Sequence, residues 1–91
     1  MRPAETIDDD DATAIGLHAL IWTLQDQHRA DRLIALTGLD PDDLRARADE
    51  PAVLAALIAF LVAHQPDLLA CSDAIGVSPE HMIAAAERLS A

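Results

Sequence analysis

Lysine and tyrosine are missing from this chain altogether, and its aromatic rings are limited to Trp22 and Phe60. Without lysine, six arginines face sixteen acids and the net charge is −10. Affinity for phosphate backbones comes almost wholly from cationic side chains, so direct nucleic-acid binding is not expected of a chain this acidic. The single cysteine, Cys71, excludes an internal disulfide and a paired-cysteine metal site, and points to a reducing compartment. With three glycines in all, there is no glycine-rich phosphate loop and no Gly-x-Ser-x-Gly elbow. Long apolar runs are missing too. AVLAALIAFLVA at 52–63 falls well short of the roughly 20 residues that span a bilayer, and it reads as a buried central helix. The opening MRPAETIDDDDATA contains no apolar stretch of export-signal length. The expectation is a cytoplasmic protein that does not meet a membrane.

What is present is alanine, at nineteen positions, within a composition that is 52% hydrophobic. Alanine and leucine form helices well, while the β-branched and aromatic residues that fill sheets are scarce. The expected fold is all-α, a compact bundle of about six short helices. Residues 1–9 lack a periodic apolar face and are expected to be disordered, leaving 10–91 as a single helical domain. Asp8 to Asp11 precede the first helix, where negative charge opposes the positive end of the helix dipole and caps free amides. In that helix Leu17, Leu20, Ile21 and Leu24 make one stripe and Ile15, Ala19 and Trp22 another, a face wide enough to meet more than one neighbour. Gly38 and Gly76 end helices. Asp40 and Ser78 cap the next ones, with Pro41 and Pro79 in the first helical position. Another helix buries Val53, Leu54, Leu57, Ile58 and Leu61, and Pro66 separates it from its successor. The last helix should bury Met82, Ile83, Ala86 and Leu89.

A shift of 38 residues places Gly38 on Gly76, Leu39 on Val77, Asp40 on Ser78, Pro41 on Pro79, Leu44 on Met82 and Trp22 on Phe60. Only five of the thirty pairs between 19–48 and 57–86 are identical, and tight helix turns use such punctuation anyway. The sequence therefore leaves open whether two three-helix halves are related. The repeat does bear on AIGVSPEHMI at 74–83, which reads like the turn of a helix-turn-helix. The same turn recurs in acidic form at Gly38–Leu39–Asp40. The helix after Ser78 offers Glu80, His81, Glu87 and one cation, Arg88, where base and phosphate readout would need Arg, Lys, Asn or Gln. A packing turn used twice is the better reading.

Around the first of these turns, Trp22, Asp31, Arg32, Leu33, Leu36, Gly38, Leu39, Asp40, Pro41 and Leu44 give the chain a resemblance, over about 14–89, to a small bacterial family catalogued as a domain of unknown function. The resemblance implies a helical fold and nothing about mechanism. The second turn differs from the family's Gly-Leu-Asp-Pro, being Gly-Val-Ser-Pro.

Chemistry is thinly represented. His28 with Asp31 and His64 with Asp67 have i, i+3 spacing, but each pair sits at a helix boundary without a third ligand, so no metal or other cofactor is expected. Cys71 reads as a small buried hydrophobe and His18 as a residue at the core edge. No residue is nominated as catalytic. The expected function is a non-enzymatic protein-interaction module for an unidentified protein partner, monomeric or weakly homodimeric. Two alternatives stand beside it: an acidic inhibitor or nucleic-acid mimic of a basic protein, and a small ligand-binding or enzymatic helical domain. The nominated partner surface is Trp22 with the mixed-charge segment Asp31, Arg32, Asp40, Asp42, Asp43, Arg45 and Arg47, because both signs of charge concentrate there.

Overall fold

Punctuation at the helix ends accounts for the element order. In the computed structural model, which describes residues 8–91, six helices follow one another: α1 (Asp9–Leu24), α2 (Gln27–Thr37), α3 (Pro41–Ala46), α4 (Pro51–Val62), α5 (Gln65–Ile75) and α6 (Pro79–Ser90). No strand occurs among the described residues. Asp8, Asp26, Asp40 and Ser78 each accept a hydrogen bond from the backbone N–H three residues on, satisfying amides that the first helical turn leaves free. Gly38 and Gly76 both sit at φ 72°, the left-handed conformation that glycine adopts without a Cβ penalty. The expected disorder of the N-terminal segment lies outside the described residues up to position 7. Asp8 and Asp9 are ordered as the cap and first residue of α1, since Asp8 gains a hydrogen bond there.

The core lies between α1, α4 and α6. Leu54, Leu57, Ile58 and Leu61 of α4, Ala12, Ala19 and Leu20 of α1, and Met82, Ala85 and Leu89 of α6 are buried together, as expected for α4. In α6 the buried residue beside Met82 is Ala85, whereas Ile83 is 40% exposed and Ala86 is half-buried. The apolar set of this helix spans more than one face, and packing selects the face carrying small alanines, which lets α6 sit close to two helices at once. On α1 the buried stripe is Ala12, Ile15, Gly16, Ala19, Leu20 and Thr23. Leu17 and Leu24 are only half-buried and Ile21 is 56% exposed. Thr23 is accommodated in the core because its hydroxyl donates to the Ala19 carbonyl at 2.8 Å.

Helix boundaries recur with the 38-residue shift. α2 and α5 coincide at both ends, α1 and α4 at their last residue, and α3 and α6 at their first. Packing follows the same pattern at its centre. Gly16 lies against Leu54, its own equivalent, so closely that a Cβ on Gly16 would stand 2.9 Å from the Leu54 Cβ. Equivalent residues of the two halves thus meet each other where α1 and α4 cross. The halves also diverge: α1 has 16 residues and α4 only 12, and α5 packs on α1 whereas α2 makes no comparable contact with α4. α6 has 12 residues and α3 only 6, and α3 is seated by one fully buried side chain, Leu44.

Arginines of α2 tie the outer layer to this centre. The Arg29 guanidinium stacks on the Trp22 ring at 3.6 Å and donates to the Trp22 carbonyl at 2.7 Å. Arg32 lies over Phe60, the equivalent of Trp22, at 5.8 Å, and pairs with Asp67 on α5. The His64 ring nitrogen Nδ1 lies 3.1 Å from the same carboxylate. Both aromatics are therefore covered by a cation from one helix.

Candidate interaction surface

Apolar residues on α1 exceed what the core can take, and this excess builds an apolar cleft at the surface. Leu17, Leu20, Ile21 and Leu24 line one wall, Arg45 and Ala48 the other, and Gln25 closes one end around a volume of about 400 Å³. α3 stops at Ala46, two residues before Ala48 of the cleft wall. Pro51 and the α4 cap at Glu50 leave no room for α3 to lengthen as α6 does. On the other side of α3, Leu36, Leu39, Leu44, Arg47, Val53 and Ala56 help to line a second cleft of about 350 Å³, beside which Leu36 is 73% exposed. α3 thus stands between two apolar clefts, with Arg45 on one and Arg47 on the other.

The nominated residues divide between this surface and local structural duties. Arg45 lines the first cleft and pairs with Asp42 at 3.5 Å. Arg47 lines the second and grips Glu50 through two hydrogen bonds of 3.0 and 3.1 Å, which hold the Glu50 carboxyl below its ordinary pKa and the Arg47 guanidinium above its own. Asp40 caps α3, and Asp43 stands in the first turn of the same helix. Asp31 accepts from the Gln27 side chain, and Arg32 belongs to the ion pair with Asp67. Trp22 is half-buried beneath Arg29, in a neighbouring cleft with His18, Ile21, Ala74 and Ile75. These eight residues do not converge on one face. The charged segment is bound up largely with capping and pairing, and the structure adds Ile21, Leu17 and Leu24, which sequence reading assigned to the core. Arg29 was missed as well, although a cation seven residues after a tryptophan across a helix break gives no spacing signal.

Among the described residues no group of three or more His, Cys, Asp or Glu could hold a metal ion. The His64–Asp67 pair is joined by Arg32 instead. Cys71 is a buried free thiol, and burial pushes its pKa up to about 11, the wrong direction for a nucleophile at neutral pH. Among the described residues no single helix is long and apolar enough to cross a membrane.

No curated protein and no solved structure matches the chain. The family described as "Protein of unknown function (DUF3572)" matches residues 9–91. That span takes in all six helices, both capped turns and both clefts beside α3, and the chain belongs to this family.

Proposed function

We propose that the domain is a non-enzymatic protein-interaction module of the cytoplasm, and that its docking surface is the cleft between α1 and α3. The observation that carries this reading is Ile21, a large apolar side chain 56% exposed within a wall of leucines. Clustered exposed apolar residues of this kind mark binding surfaces, whereas single ones do not. A reducing compartment suits Cys71, which is fully enclosed as a free thiol. Duplex DNA is a poor fit as the partner, because the outward residues of α6 include Glu80 and Glu87 on a chain of net charge −10. Mimicry of nucleic acid fits poorly with carboxylates that cap separate helices at Asp8, Asp26 and Asp40.

A photo-reactive residue installed at Ile21, compared with one at Glu87 on the outer face of α6, tests the reading in native lysate. One discrete protein adduct is expected from position 21 and none from 87. It should be competed by the unlabelled domain but not by its Ile21→Asp variant. Equal labelling from both positions, or no adduct at all, would refute the proposal.

A further inference from the structure

Four of the six helices close on one another, and two do not. α1, α4, α5 and α6 each pack against the other three, whereas α2 packs chiefly on α1 and α3 makes no comparable contact with any helix. Across α2, the turn after it and α3 (27–46), only Ala30, Leu33 and Leu44 are buried, while α4 alone buries seven of its 12 residues. This pair of helices is also undercut on two sides. Val53 and Ala56 of α4 face Leu36, Leu39 and Leu44 across one cleft, and Leu17 and Ile21 of α1 face Arg45 and Ala48 across the other. Where apolar contact is thin, arginines take its place. Arg29 stacks on Trp22, and Arg32 covers Phe60 and pairs with Asp67 of α5.

We propose that α2 and α3 form an arm that undocks as one unit from a four-helix body, which stays folded, and that the Arg32–Asp67 pair is its latch. The chain enters the arm from α1 and leaves it into α4, two helices that pack on each other directly. Undocking therefore leaves a surface loop whose ends the body holds, and the closure cost of such a loop grows only slowly with its length. Openings of this kind, below the free energy of global unfolding, belong to parts of a fold with few buried apolar contacts. The shut arm also carries a cost of its own. The Arg29 Nε is buried and, among the described residues, has no hydrogen-bond partner, a donor that water satisfies once the arm opens. The latch opposes this. The Asp67 side chain is only 14% exposed, so losing Arg32 leaves an enclosed carboxylate with the His64 ring alone beside it, which favours the open arm. With α3 away, the wall between the two clefts is gone, and Trp22 and Phe60 lose their cations.

Amide hydrogen exchange of the full chain, followed by NMR at urea concentrations below the unfolding transition, tests the arm. Interior amides of α2 and α3, those of Leu33 and Leu44 among them, should exchange at least about tenfold faster than the slowest in α1, α4 and α6. They should share one shallow urea dependence, since undocking exposes less surface than unfolding. Ala84→Gly, at a half-buried position of α6, weakens a body that is folded whether the arm is shut or open. It should speed the slowest α4 and α6 amides about threefold or more and leave those of the arm within about twofold. Arg32→Ala should speed the α2 and α3 amides by a common factor of about fivefold or more. Arm amides with the urea dependence of the body, or accelerated by Ala84→Gly as much as those of α4, overturn the undocking. Different factors for α2 and α3 in Arg32→Ala overturn the single unit, and unchanged exchange there overturns the latch.

Discussion

Replacing Gly16 by alanine sets two effects of opposite sign against each other. In the middle of an exposed helix, glycine to alanine stabilises by about 0.5–1 kcal/mol, because the unfolded chain loses freedom. Here the added methyl would stand 2.9 Å from the Leu54 Cβ, 3.2 Å from its Cδ1 and 3.3 Å from its Cγ. Leu54 is fully buried, and a Cβ is fixed to its backbone, so it cannot swing away. The helices must part instead. Overpacking of this kind costs about 1–3 kcal/mol, leaving a net destabilisation of about 1 kcal/mol, with up to about 2 if α1 and α4 cannot shift. For a domain of this size about 1 kcal/mol lowers the melting temperature by roughly 4–8 °C. Thermal and urea unfolding followed by circular dichroism measures it, with Ala14→Gly, at an exposed position of the same helix, reporting the propensity contribution alone. A Gly16→Ala protein that melts above the wild type would refute the close crossing at Leu54.

Two further outcomes follow from side chains in the outer layer. Arg29→Ala should uncover the Trp22 ring, raising its quenching by iodide and lowering stability by about 1–2 kcal/mol through the lost stacking and carbonyl hydrogen bond; unchanged quenching would refute the cover. Cys71 has its pKa raised from an ordinary 9.0 to about 11, so the folded state holds its proton where the unfolded state has lost it. Stability from this source is complete below about pH 9 and is lost as pH rises toward about 11. Thiol labelling near pH 8 should therefore require opening of the fold and slow down in stabilised variants, whereas rapid labelling of the native protein would contradict the burial.

Element ends were legible in the sequence because each rests on a local cause. Gly38 and Gly76 adopt the left-handed conformation, and Asp40 and Ser78 cap the helices that Pro41 and Pro79 open, as their spacing implies. The α4 core was legible for a different reason, since a helix so uniformly apolar leaves only alanines to face outward. The same uniformity misled on α1 and α6. Periodicity says that Ile21 and Ile83 lie on apolar stripes, but which stripe meets the core depends on Gly16 and Ala85, small enough for close approach. Much of the candidate surface was hidden for that reason, and for another. The charged residues nominated at Asp40 to Arg47 attract notice in a sequence, yet Asp40 and Arg47 spend their charge on amides and neighbouring carboxylates. Arg32 finds Asp67 across 35 residues, a distance at which local spacing carries no information.

The placement of α6 also governs the order in which this fold can be assembled. Its buried face closes over α1 and α4 together, and Arg88 meets Asp9 across 79 positions. During synthesis from the N-terminus, α1 through α5 leave the ribosome with that side of the central groove open. Their leucines have nothing to close on until the residues after Pro79 emerge. Closing the core is thus a long-range event that local helix formation precedes and cannot replace. Until α6 docks, the leucines of α4 lack part of their cover, and the low aromatic content and high acidity of the chain help to keep such an intermediate soluble.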